Sequence, residues 1–163
     1  MKRIYLLLLC LLLTACGDAM RPSDAIATAV THGQGLPESY HVYYSDADEE
    51  SPHYPTAKIK EKLYTSGYDV DSLCEDYAVL IGNGTVPYEI HLLRARSHSN
   101  ISDLLSCLNG RKELLTEHKN STFNPDTEER VEQAVSYCAG RYAVLLVTDD
   151  NDAMRALLDE CIK

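Results

Sequence analysis

The run RYAVLLVT, Arg141 to Thr148, is the most apolar strand-like segment of the chain, and any fold open to this sequence has to bury it. Its core, Tyr142 to Val147, is short, rich in aromatic and aliphatic side chains, and bounded by Gly140 before and Asp149-Asp150 after. Length and flanks of that kind favour a strand over a buried helix, and such a strand belongs at the centre of a sheet.

Its neighbours supply the rest of the sheet. A short strand through Tyr137 and Cys138 precedes it across a turn at Ala139-Gly140. Further upstream, DYAVLIG (Asp76 to Gly82) and VPYEIHLLRAR (Val86 to Arg96) flank Asn83-Gly84, a dipeptide whose residues both tolerate positive φ and so mark a hairpin. Helical patterns alternate with these hairpins. Ser99 to Lys119 carries an apolar stripe of Ile101, Leu104, Leu105, Leu108 and Leu115. Asn124-Pro125 opens a second helix with acidic residues in its first turn, Val131, Ala134 and Val135 supplying the buried side. Asp149 or Asp150 caps a third, packed through Met154, Leu157, Leu158 and Cys161. In front, Ser23 reads as the cap of a short helix over Asp24 to Thr31, and Thr56 to Tyr64 as another. The expected fold is α+β: a four-stranded antiparallel sheet from two hairpins, helices packed on one face, with a ββα pseudo-repeat as one way of writing it.

The N-terminus has a different character. Lys2 and Arg3 precede ten apolar residues, Ile4 to Leu13, and Thr14-Ala15 are small. A spanning helix needs about 20 apolar residues, so this is an export signal and not a membrane span. LTAC, Leu13 to Cys16, closely resembles the lipobox of bacterial lipoproteins. That resemblance implies a diacylglycerol on the Cys16 thiol, cleavage before Cys16, and attachment to the outer face of the cytoplasmic membrane. Two acyl chains hold firmly where one binds marginally. The chain then divides into a signal peptide over 1–15, a lipidated N-terminus with tether and short helix over 16–35, and one α+β domain over 36–163.

Losing Lys2 and Arg3 takes the formal charge from -10 to -12. So acidic a body repels phosphate backbones, which excludes nucleic acid as a partner, and the lipid has to hold the membrane without a basic patch. Tyrosines crowd ESYHVYYSDADEESPHYP, Glu38 to Pro55, a tyrosine-rich connector whose acidic part, SDADEESPHYP (Ser45 to Pro55), lacks periodicity and reads as exposed. Tyr43, Tyr44 and Tyr54 are the candidate binding surface there, for a peptide, sugar or protein. Cys74, Cys107, Cys138 and Cys161 remain beside the lipid site, and four thiols allow three disulfide connectivities or none.

The segment from Leu63 to Glu160 resembles the domain of unknown function 4358 of bacterial lipoproteins. The likeness lies in LYTSGYDVDSLCEDYAVLIG, YEIHLLRA, NPDTEERVEQAV and, most of all, GRYAVLLVTDDNDAMRALLDE. SDADEESPHYPTAK departs from the family pattern, which has a shorter acidic stretch there. The resemblance implies an extracytoplasmic lipoprotein domain and supplies no substrate, cofactor or catalytic residue.

Chemistry-bearing motifs are sparse. The histidines at 32, 41, 53, 91, 98 and 118 include no pair three or four residues apart, and neither CxxC nor HExxH occurs. DADEE lacks the glycine of a calcium loop, and DDND is explained as a helix cap. GxSxG, GxGxxG and the phosphate-binding loop are missing. The expectation is a membrane-anchored, non-enzymatic binding or accessory module without metal or cofactor. The alternatives are an extracytoplasmic hydrolase whose site assembles from distant residues, such as a Cys-His pair, and a structural envelope protein.

Overall fold

The computed structural model describes residues 19–64, 67–83, 87–122 and 125–162, so the signal peptide and Cys16 lie outside the described residues, as do Gly84 and Asn124. Five strands form one antiparallel sheet: β1 (Tyr40–Tyr44), β2 (Cys74–Gly82), β3 (Glu89–Ala95), β4 (Val135–Ala139) and β5 (Tyr142–Val147), in the order β1-β2-β3-β5-β4. Six α-helices accompany them: α1 (Pro22–His32), α2 (Ala57–Leu63), α3 (Val70–Leu73), α4 (Ile101–Thr122), α5 (Pro125–Glu132) and α6 (Asn151–Ile162).

The expected hairpins are both present, and β5 sits between β3 and β4 with every residue buried. Three expectations need correction. The sheet has five strands, because Tyr40–Tyr44, read as connector, pairs with β2 from Tyr40↔Gly82 to Tyr44↔Ala78. Helices cover both faces. Leu80, Ile90, Leu92, Val144 and Leu146 pack under α1 and α6, whereas Val79, Leu93, Ala143, Leu145 and Val147 pack under α2 to α5. Consequently the helices that follow the two hairpins, α4 and α6, lie against opposite faces, and the ββα repeat is not realised. The physical cause is that β3 and β5 are buried at consecutive positions, so both of their faces need cover.

Local signals placed the remaining elements well. Pro125 stands at the first position of α5, and the Asp150 carboxylate accepts the Ala153 N–H at 2.9 Å, capping α6. Gly140 turns β4 into β5 with φ of 56°, a left-handed conformation that favours glycine. Val135 belongs to β4 and not to the preceding helix.

The front of the chain is more ordered than a tether. α1 starts at Pro22, with Arg21 and not Ser23 at the cap position. Ala25, Ile26 and Ala29 are fully buried against the sheet. The Met20 N–H donates to the Cys161 carbonyl at 2.9 Å, and the Tyr142 hydroxyl donates to the Met20 carbonyl. Ile26→Ala should therefore destabilise the fold by about 2–5 kcal/mol, as for other large-to-small core changes. Denaturant titration measures this, and an unchanged midpoint would return α1 to the tether.

Candidate functional site

One end of the sheet gathers charge. There β1 and β3 end, β2 and β5 begin, and α1 enters from Arg21. A cleft of about 620 Å³ opens at this end, lined by Arg21, Ser45, Asp46, Tyr54, Lys60, Asp71, Arg94 and Arg96. Residues Cys74 to Tyr77 of β2 complete its lining.

Asp76 organises the cleft. Its side chain is largely buried, and its Oδ2 accepts from Arg21 Nε at 3.0 Å and Nη2 at 2.9 Å. Its Oδ1 accepts from Ser45 Oγ at 2.6 Å, and that hydroxyl oxygen in turn accepts the Tyr77 N–H at 2.9 Å. A shift in the β2 register between Cys74 and Asp76 re-aims the strand at this point. Three segments distant in sequence are thereby joined: the start of α1, the end of β1 and the start of β2.

The other charges of the cleft are mutually paired. Arg21 also meets Asp46 at 2.7 Å, Lys60 meets Asp71 at 2.5 Å, and Glu75 faces Arg94 at 3.7 Å and Arg141 at 2.6 Å. Arg96 spends its guanidinium on main-chain carbonyls, those of Ser72 and Asp71 at 3.2 Å and Cys74 at 2.9 Å, closing the end of α3. Cys74 is the thiol of the cleft, and burial pushes it well above the ordinary thiol range. It is held as a thiol and is not a poised nucleophile.

Under α4, toward the opposite end of β3 from the cleft, lies a buried polar cluster. Glu89 and His91 alternate onto the same face of β3, both almost fully buried. Arg111 from α4 grips Glu89 in a two-pronged ion pair, with Nε 3.0 Å from Oε2 and Nη2 on Oε1. Its Nη1 donates to the Lys62 carbonyl at 2.8 Å, which ties in the end of α2. His91 Nε2 stands 2.8 Å from Glu89 Oε2, and the Tyr64 ring meets the imidazole edge-on at 6.3 Å. Burial alone would raise the Glu89 carboxyl. Hydrogen bonds from His91 and Arg111, with their charges, outweigh it and bring the group from 4.5 down to about 2.

The three tyrosines singled out from the sequence do not form one surface. Tyr43 pairs with Val79 and Tyr44 with Ala78, so the strand's alternation sends them to opposite faces. Tyr44 rests against the sheet under α1 and α6 and meets the His53 ring at 5.4 Å, whereas Tyr43 lies beside His41 at 6.3 Å. Of the three, Tyr54 lines the cleft. His53 serves the structure, since its carbonyl accepts the Tyr44 N–H at 3.0 Å and its Nδ1 bonds the Val42 carbonyl at 2.8 Å. The connector thus covers the outer edge of β1. Cys74, Cys107, Cys138 and Cys161 are free thiols, only Cys138 of them exposed. Among the described residues no group of three or more His, Cys, Asp or Glu side chains could hold a metal ion.

Reasoning along the sequence missed Arg21, Asp76, Glu89 and Arg111. The acid and imidazole two apart in YEIHLL were a signal for the buried pair, since the run around them is apolar on both sides. No matching protein family, curated protein or solved structure was found for this chain. The resemblance to the domain of unknown function 4358 gains no support from those comparisons and transfers no residue role.

Removing one partner of the buried pair leaves an uncompensated charge. Arg111→Met should cost about 3–5 kcal/mol, and the double variant with Glu89→Leu should recover much of it. The pH dependence has a definite sign. Because the folded carboxyl lies below its unfolded value, Glu89 stabilises the fold above pH 4.5, and that contribution is lost as pH falls toward 2. Thermal melts between pH 5 and 2 should show a flatter decline for Glu89→Gln than for the parent chain.

Proposed function

We propose that this chain is a bacterial lipoprotein, held by a diacylglycerol on Cys16 to the outer face of the cytoplasmic membrane. Its folded body is a non-enzymatic binding or accessory module that engages a peptide, sugar or protein partner through the charged cleft. The observation that carries this reading is placement. Arg21, which lines the cleft, is five residues from the lipobox cysteine, so a lipid on Cys16 would tether the chain within a short reach of the cleft.

The pairing of charges in the cleft supports recognition over catalysis. Exposed ion pairs contribute only about 0–1 kcal/mol each, so a polar partner can exchange them at small cost. The alternative reading, a hydrolase with a distributed site, would use Cys74 beside the carboxylates, and the raised position of that thiol speaks against it. A structural envelope protein is the other alternative, distinguished by stable self-assembly without a partner. Among the described residues no helix is long and apolar enough to cross a membrane.

Metabolic labelling with a fatty-acid analogue tests the anchor. The parent chain should take up label and fractionate with membranes, whereas Cys16→Ser should lose both; label retained by that variant would overturn the assignment. Crosslinking in intact cells tests the cleft. Arg94→Ala with Tyr54→Ala should reduce the captured partner at least tenfold, and undiminished capture would move the contact elsewhere.

A further inference from the structure

We infer that the cleft-bearing end of the molecule is itself a membrane-apposed face, seated on zwitterionic phospholipid headgroups with Met20 and Tyr68 as its interfacial side chains. The inference rests on the anchoring of Cys16 proposed above and narrows the reading of the cleft, in which the headgroup takes the place of a peptide, sugar or protein partner.

Met20 and Tyr68 are the exposed large hydrophobic residues among those described, at 44% and 37% exposure. Met20 precedes Arg21, which lines the cleft, and Tyr68 lines a second hollow of about 310 Å³ that shares Lys60 and Asp71 with the first. Tyrosine is enriched where membranes meet water, since its ring is apolar and its hydroxyl wet.

The reach of the anchor presses the same face toward the bilayer. Met20 is fastened to Cys161 and Tyr142, so four peptide units separate the lipidated residue from the rigid body. Fully extended, they span about 14 Å. The Met20 end cannot turn far from the surface in which the acyl chains sit.

Charge selects the kind of surface. An acidic body is repelled by anionic headgroups. Within the cleft, however, Arg21, Lys60, Arg94 and Arg96 balance Asp46, Asp71, Glu75 and Asp76. A zwitterionic headgroup offers phosphate to the cations and ammonium to the carboxylates, so both partners of an opened ion pair are satisfied. A headgroup with one sign of charge would leave one partner orphaned.

The test uses the full lipidated chain, purified from membranes and reconstituted in vesicles of phosphatidylcholine and phosphatidylethanolamine. A nitroxide is placed at Asp69→Cys, beside Tyr68, or at Glu38→Cys, at the far end of the sheet, with Cys138→Ser removing the exposed native thiol. Collision rates with oxygen and with a water-soluble nickel chelate report depth. The oxygen-to-nickel ratio at position 69 should exceed that at 38 at least threefold. It should fall to the value at 38 when Met20→Ser and Tyr68→Ser are introduced, or when the vesicles are phosphatidylglycerol. Protein that floats with the zwitterionic vesicles but gives equal ratios at 69 and 38 overturns this inference and leaves the anchor standing. Protein that fails to float with them overturns the anchor, and the apposed face with it.

Discussion

Double-sided burial of β3 and β5, two of the three inner strands, is the constraint from which the rest of this structure follows. β3 and β5 alternate their side chains like any strands, yet neither presents a polar face to water. A sheet built on them needs two helical layers, where an antiparallel sheet with one wet face needs one. α4 and α5 cover one side, while α1 and α6 cover the other. Because α1 is required for that second layer, the chain enters the fold at Met20 and Arg21, within a few residues of Cys16. The closeness of Met20 and Arg21 to the cleft is thus a by-product of how the core is closed.

The same constraint accounts for the two polar devices. Glu89 and His91 occupy positions on β3 that face α4, where an apolar residue would be ordinary. They are tolerated because Arg111 reaches Glu89 from α4, Glu89 in turn pairs with His91, and the Arg111 Nη1 bonds a main-chain carbonyl of α2. An apolar pair would bind the helix as well, but without fixing its position along the strand. Asp76 acts in the same way at the sheet end, holding α1 and β1 to β2 through a single carboxylate.

Much of this fold was legible in local signals. The hairpin signal at Asn83-Gly84, the Gly140 turn, Pro125 at a helix start and the Asp150 cap each act over three or four residues and need no tertiary knowledge. β1 was not legible, for a definite reason. Tyr40, His41, Tyr43 and Tyr44 are amphipathic side chains on both faces of an edge strand, so the alternation that marks a half-buried strand is washed out. The two-layer cover was written in YAVLLV as an unbroken apolar run, and reading it as one-faced was the error. In YEIHLL the polar Glu89 and His91 alternate with apolar residues, so its second buried face was not legible. The cleft could not be read, because its lining comes from segments near positions 21, 45, 54, 60, 71–77 and 94–96, brought together only by the sheet.

The sheet's two rims are unequal. Along β1, His53 occupies an outward N–H and an outward carbonyl, so an incoming strand finds those groups taken. Along β4, a strand lies on the inner side alone. Growth by strand addition between copies would therefore have a single open end per molecule, and an association with one open end closes on itself at two copies. That asymmetry separates a terminating pair from an endless ribbon.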